Sequence, residues 1–292
     1  MKKFVVKTLM LLIIPVFFYC GIGILLKLKI RNDIENHQIF VFGDSQTEFI
    51  KFPEIYNHSI HGSPYYVQYE FAKEFISALQ GKKVYISCNY HNLSNLYQNR
   101  LANDALAPGW RASTFKDLDE YNLINYVYPD IRPADLEYSF FDIKKMPRLL
   151  GKLYMPEEHK NIEASVVNDT LSIKGTIERH WKHPEYTLKD AIQKKYLDKL
   201  IQLLADNNCE IVLLKMPLTN FYVDHVPSKI KKELTQLPNT YNIRLLDLNT
   251  ALNISKDYTY FKDYGHLNSK GDALVTEYFK NYELKEKMYT NM

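Results

Sequence analysis

Five short apolar runs punctuate the chain: 38–42 (QIFVF), 55–60 (IYNHSI), 83–88 (KVYISC), 209–216 (CEIVLLKM) and 242–248 (NIRLLDL). They are continuous rather than alternating, as expected of strands covered on both faces. Helical patterns lie between them. Residues 65–80 (YYVQYEFAKEFISALQ) carry apolar side chains at helical spacing and stop at Gly81, a natural C-terminal cap. Residues 187–207 set Leu188, Ile192, Tyr196, Leu200 and Leu203 along one face, and 268–287 read as a final helix. Strands alternating with helices predict βαβ units and a parallel sheet, an α/β fold.

Residues 95–185 break the pattern. They hold Trp110, Trp181, many tyrosines, and prolines at 108, 129, 133, 147, 156 and 184. Short helices and a hairpin near 163–177 are expected, as an insertion after the third strand packed as a cap or side wall. No repeat or linker marks it as a separate domain.

The first thirty residues differ from the rest. Lys2, Lys3 and Lys7 precede an uncharged run from Leu9 to Leu26. Those eighteen residues span roughly 27 Å as a helix, enough to cross a bilayer core. No alanine occurs before Ala72, so a small-residue cleavage site is missing, and Cys20 follows the bulky Phe-Phe-Tyr. Residues 1–30 therefore read as an uncleaved, single-pass signal anchor, and 31–292 as the folded domain. Lys27, Lys29 and Arg31 balance the N-terminal lysines, so counting charges gives no orientation. The very short tail favours its staying inside, which puts the domain outside the cytoplasm.

Composition adds limits. A chain of 292 residues, 46% hydrophobic and 24% charged, has ample core for one large domain or two small ones. A net charge of +3 with no basic block argues against nucleic acid as a partner. Three cysteines make no disulfide framework. Cys88 ends one predicted strand and Cys209 begins another, at opposite ends of a parallel sheet and beyond the ~7 Å Cα reach of a bridge. Neither has a cationic neighbour in sequence to activate it.

The chemistry centres on the first strand's end, "IFVFGDSQTE". Ser45 with Glu48 fits a capping box, yet Ser45 also stands where a strand-end nucleophile would. Alone it is a poor nucleophile and needs a base within hydrogen-bond reach. Asp263 and His266, three apart in a loop before the last helix, can supply one: the Asp holds Nδ1–H and leaves Nε2 free. The order Ser…Asp…His also occurs in α/β-hydrolases, but no Gly-x-Ser-x-Gly elbow surrounds Ser45. Asp247, at the fifth strand's end, is an alternative orienting acid. His58/His61 and His180/His183 could pair on a metal, but no carboxylate or cysteine set stands at zinc spacing, so no metal site is assigned. Trp110, Trp181 and the tyrosines fit sugar stacking as well as ordinary packing.

Gly43-Asp44-Ser45 after the first strand, with Asp263-x-x-His266 near the C-terminus, resembles the SGNH (GDSL-type) hydrolase superfamily. Asn57-His58-Ser59-Ile60-His61-Gly62 is similar to its second block, and Ser87-Cys88-Asn89-Tyr90-His91-Asn92 stands where its third block, Gly-x-Asn-Asp, would be. The glycine of that block is absent here. The resemblance covers about residues 37–92 and 209–280. It implies a flavodoxin-like three-layer sandwich with a five-stranded parallel sheet. It implies a Ser45–His266–Asp263 triad without a cofactor, and an oxyanion hole from Ser45 and Gly62 N–H groups plus an asparagine. Asn92 is preferred for that asparagine, with Asn89 next; counting along the strand puts His91 there. Met216-Pro217 with Tyr222 and Pro227 is similar to membrane-anchored members that accompany envelope-polysaccharide acylation. The expected activity is an esterase or O-acyltransferase on an acylated carbohydrate or cell-envelope ester, with a membrane-bound acyltransferase as a candidate partner. The contrasting reading is a non-catalytic envelope protein that binds glycan or that acyltransferase, favoured by the irregular third block.

Overall fold

The computed structural model describes residues 25, 28–60, 62–99, 170–182 and 192–290. Residues 28–35 are helical and lead into β1 (Ile39–Gly43). Then come β2 (Ile55–Ser59), α1 (Tyr65–Leu79), β3 (Lys83–Ser87), a 3₁₀ turn (Tyr90–Leu93) and the short α2 (Asn95–Asn99). Beyond residue 169 follow α3 (Leu171–Trp181), α4 (Ile192–Asp206), β4 (Glu210–Lys215), α5 (Asn220–Asp224) and α6 (Ser228–Tyr241). The chain closes with β5 (Arg244–Asp247), α7 (Leu248–Leu252), a 3₁₀ turn (Tyr258–Tyr260) and α8 (Ser269–Thr290).

All five strands are parallel, in the order β2-β1-β3-β4-β5. This is the doubly wound, flavodoxin-like order. Strand side chains alternate between faces, so each strand feeds both helical layers. Phe40 and Phe42 turn to α1, where their rings lie 6.0 Å from Phe71. Tyr85 turns the other way and meets Phe279 of α8 at 4.7 Å. All five residues of β1 are buried, which explains its unbroken apolar run. Burying each of its phenylalanines contributes about 1.5–3 kcal/mol. Helix α1 packs on α4, with Tyr66 edge-on to Tyr196 at 4.7 Å. It ends one residue before Gly81, which takes a left-handed φ of 73°.

Three expectations change. The hairpin near 163–177 does not form over its described part: residues 171–181 are helix α3. Its buried side chains are Ile173, Ile177 and His180, spaced four and three apart, so the apolar stripe has helical and not strand period. The segment after β1 is a series of turns over 45–49, not a helix, so Ser45 and Glu48 form no capping box. Asp44 does the capping instead, its Oδ1 accepting the Gln46 N–H at 2.9 Å. Asp247 orients no histidine: it accepts from Lys215 Nζ at 2.9 Å and from Thr250 N–H at the start of α7.

No helix among the described residues is long and apolar enough to cross a membrane. Apart from residues 25 and 28–30, the predicted anchor lies outside the described residues, as do residues 100–169 and 183–185 of the insertion, Trp110 among them. Cys88 is buried and Cys209 half-buried, and both are free thiols. Burial pushes the Cys88 thiol up to about 11 and raises Cys209 as well.

Candidate active site

The strand order reverses at β1, with β2 on one side and β3 on the other, and this opens a crevice beyond the carboxyl ends of the strands, where ligands of such sheets bind. β1 leads there into Asp44-Ser45-Gln46. β2 pairs with β1 in register, Gly43 opposite Ser59, so the following loop brings Gly62 to the same end of the sheet. Gly62 is buried and holds a left-handed φ of 68°, which a glycine adopts without strain. β3 ends beside β1 and delivers residues 88–92.

The fourth contribution comes from far along the chain. Residues 261–267 form a tight loop, pinned by the Phe261–Leu267 bridge and the Lys262 N–H to His266 carbonyl bond at 2.9 Å. Thr219, after β4, donates its N–H and hydroxyl to the Tyr264 carbonyl, fixing the loop against the sheet. Within it, Asp263 Oδ1 accepts the N–H groups of Gly265 (3.0 Å) and His266 (2.7 Å). Asp263 Oδ2 faces His266 Nδ1 at 2.7 Å, and His266 Nε2 lies 2.7 Å from Ser45 Oγ. Burial alone would raise the Asp263 carboxyl, but the imidazole and the two N–H donors outweigh it and hold the group below the usual carboxylate range. With Asp263 a carboxylate, Nδ1 carries the proton and Nε2 presents its lone pair to the Ser45 hydroxyl.

Gly265 owes its identity to space. A Cβ there would lie 2.5 Å from Leu218 Cδ2 and closer still to Gln46 Nε2. Gln46 follows the serine directly and is almost wholly buried.

The third-block residues are brought to the same crevice, in a specific arrangement. Asn92 Nδ2 donates to Asp44 Oδ2 at 2.8 Å, while its Oδ1 accepts the Asn89 N–H at 2.8 Å. Asn89 Nδ2 donates to Gln46 Oε1 (2.8 Å) and to the Met216 carbonyl (3.1 Å). Both amide hydrogens of Asn89 are thus committed, whereas Asn92 uses one of two. His91 Nε2 donates to Asp44 Oδ2 at 2.6 Å. The Asp44 side chain is fully buried. Desolvation would raise its carboxyl, but His91, Gln46 and Asn92 together hold it far below the usual range.

No family model and no curated protein matches the chain. Among solved structures it is similar to a Bacteroides fragilis NCTC 9343 protein provisionally described as an acylhydrolase. That similarity covers 85% of this chain and 86% of the other, at 12% identity and a TM-score of 0.38. A likeness so loose carries no argument, and the site is read from its own geometry.

Sequence reasoning missed the partners of Asp44. Asp44 was read only as part of the Gly-Asp-Ser turn, and no local signal ties it to His91 or Asn92. His180, considered as a metal ligand, is buried with its Nδ1 2.6 Å from Tyr222 Oη. His58 stacks on Phe71 at 3.6 Å. His61 and His183 lie outside the described residues, and among the described residues no cluster of His, Cys, Asp and Glu could hold a metal.

Proposed function

We propose that this chain is a serine-dependent esterase or O-acyltransferase of the SGNH type. One observation carries the reading: an unbroken hydrogen-bonded series from Asp263 through His266 to Ser45, with 2.7 Å at each side-chain step. His266 Nε2 takes the Ser45 proton as Oγ attacks an ester carbonyl carbon. The imidazolium, held by Asp263, then protonates the departing alcohol and leaves an acyl-serine. Water or a sugar hydroxyl next gives its proton to His266 and attacks the acyl carbon, restoring Ser45.

The oxyanion is assigned to the N–H groups of Ser45 and Gly62 and to the second amide hydrogen of Asn92. Each such donor typically stabilises the transition state by about 2.7–4 kcal/mol. Asn89, with its hydrogens committed, is assigned to support. The substrate class is an acylated carbohydrate or cell-envelope ester, handled outside the cytoplasm by a domain tethered through Leu9–Leu26. The very short N-terminal tail and the uncharged run support that location, and a membrane-bound acyltransferase is the candidate partner. The competing reading, a non-catalytic envelope protein, is favoured by the internal hydrogen bonds that occupy the third-block asparagines.

Labelling separates the two. The full chain in detergent is treated with a serine-directed phosphonate and with an activated acetyl ester. Covalent capture of wild type but not of Ser45→Ala, with acetate release, supports catalysis. A wild type that neither labels nor turns over the ester leaves the binding-protein reading.

A further inference from the structure

The structure assigns His91 a positioning role: it fixes the Ser45 turn by holding Asp44. This inference rests on the proposed catalytic role of Ser45 and extends it to a residue that acts through Asp44, the neighbour of Ser45.

The hydrogen bonds form a closed clamp around the serine. On one side Asp44 Oδ2 receives His91 Nε2–H and Asn92 Nδ2–H, and Oδ1 receives the Gln46 N–H. On the other side Gln46 Oε1 receives Asn89 Nδ2–H. Asn92 Oδ1 closes the ring by accepting the Asn89 N–H. Ser45 therefore sits between two residues that are both tied to the 89–92 turn.

The amide orientations follow from the ring itself. Asn89 must turn its nitrogen toward the Met216 carbonyl, because its Oδ1 takes the Tyr90 N–H. Gln46 must then offer its oxygen to Asn89, which leaves Gln46 Nε2 buried, without a hydrogen-bond partner among the described residues, and facing Gly265 of the His266 loop. A misplaced Gln46 would press on that loop, so the clamp sets both Ser45 and the approach of His266.

His91 is the clamp member with the fewest other duties. Its ring is 1% exposed, and among the described residues its Nδ1 has no hydrogen-bond partner. Tyr97 lies edge-on at 5.2 Å and Tyr264 at 6.2 Å. His180 stacks on it at 6.3 Å, and among the described residues its one hydrogen bond is to Asp44; a buried polar group is retained where its bond is specific.

Two variants separate the bond from the packing. His91→Phe keeps a ring against Tyr97 and Tyr264 but removes the donor. His91→Gln loses the ring but can return an N–H to Asp44. The full-length wild type and both variants are compared for the rate of phosphonate labelling at Ser45 and for thermal midpoint. His91→Phe is expected to label ~10–100-fold more slowly, the scale of a displacement of about 1 Å in a reacting group. His91→Gln is expected to label within a few-fold of wild type. In a cycle with Asp44→Asn, the double variant His91→Phe/Asp44→Asn should be no slower than the slower single variant, because both changes break one interaction.

A wild-type rate in His91→Phe, equal loss in both His91 variants, or losses that multiply in the cycle would overturn the assignment. Hydrogen exchange of the segment 43–48 gives a readout free of chemistry. It should lose protection in His91→Phe and keep it in His91→Gln. If wild type does not label at all, the catalytic reading fails, while exchange still decides the clamp: unchanged protection in His91→Phe refutes it.

Discussion

Adding one methyl group at Gly265 is expected to disable the site without touching a reacting atom. The backbone of Gly265 is not in the left-handed region, so its conformation alone would accept alanine. The space would not. The new Cβ would fall 2.5 Å from Leu218 Cδ2, and ordinary contact begins near 3.4 Å, so the two must part by about 0.9 Å. Leu218 is fully buried, so its Cδ2 gives way only by repacking against its neighbours. Gln46, closer still, is tied to Asn89. To the extent that these two side chains hold their places, the 261–267 loop must move. A shift of about 0.9 Å away from Gln46 would open the 2.7 Å His266–Ser45 contact to about 3.6 Å, beyond a hydrogen bond. A displacement of that size costs on the order of 10²-fold in rate, and overpacking costs about 1–3 kcal/mol of stability. The assay is the rate of phosphonate labelling in Gly265→Ala, beside a denaturant melt and beside His266→Ala as the floor. Labelling at the wild-type rate, with stability unchanged, would refute the steric reasoning.

Three other outcomes follow from the same site and its flank. In Asp263→Asn the amide cannot accept from His266 Nδ1 and from two backbone N–H groups without turning a hydrogen toward one of them, so ester turnover should fall on the order of 10²-fold or more. Because the Asp263 carboxyl is held below its ordinary value, its contribution to stability is present above about pH 4 and is lost only as pH falls through the depressed value; a melt series from pH 7 to 2 in wild type and Asp263→Asn checks this. Asp272 behaves oppositely. Burial pushes its carboxyl up to about 7, against the pull of Lys262 and His266, and one oxygen has no hydrogen-bond partner among the described residues. The folded state then binds more protons than the unfolded chain between about pH 4 and 7, so stability falls as pH rises through that window. Asp272→Asn should gain about 1–2 kcal/mol over wild type at pH 8, a figure reduced for the partial exposure of the carboxyl, and nothing at pH 3; an equal gain at both would show that charge is not the cause.

The sequence was informative where the physics is local. A strand buried on both faces must be apolar at consecutive positions, and the five runs became the five strands within a residue or two. Helix α1 was bounded by Gly81 for an equally local reason. Over 171–177 the same local signal points to a helix rather than a hairpin: Ile173 and Ile177 stand one helical turn apart and both are buried. The capping box failed differently. Ser-x-x-Glu can cap a helix, but Asp44 captured the first free N–H, and turns followed.

Ser45, Asp263 and His266 could be singled out because a polar residue at the end of an apolar strand and an Asp-His pair before a helix are visible in one dimension. Their meeting was not visible, since 221 residues separate Ser45 from His266. What joins them is the sheet order: β1 lies centrally between β2 and β3, and β4 carries Thr219, which holds the Tyr264 carbonyl. The clamp is more remote from sequence still. His91 and Asp44 share no pattern, and their bond exists because β3 pairs with β1 in one register, Ile86 beside Phe42, so the loops leaving both strands start level. Periodicity thus determined which segments become strands and helices, because it records burial residue by residue. Register and strand order determined which polar side chains meet, because hydrogen bonds between distant loops depend on positions set to within an ångström by packing of the whole sheet.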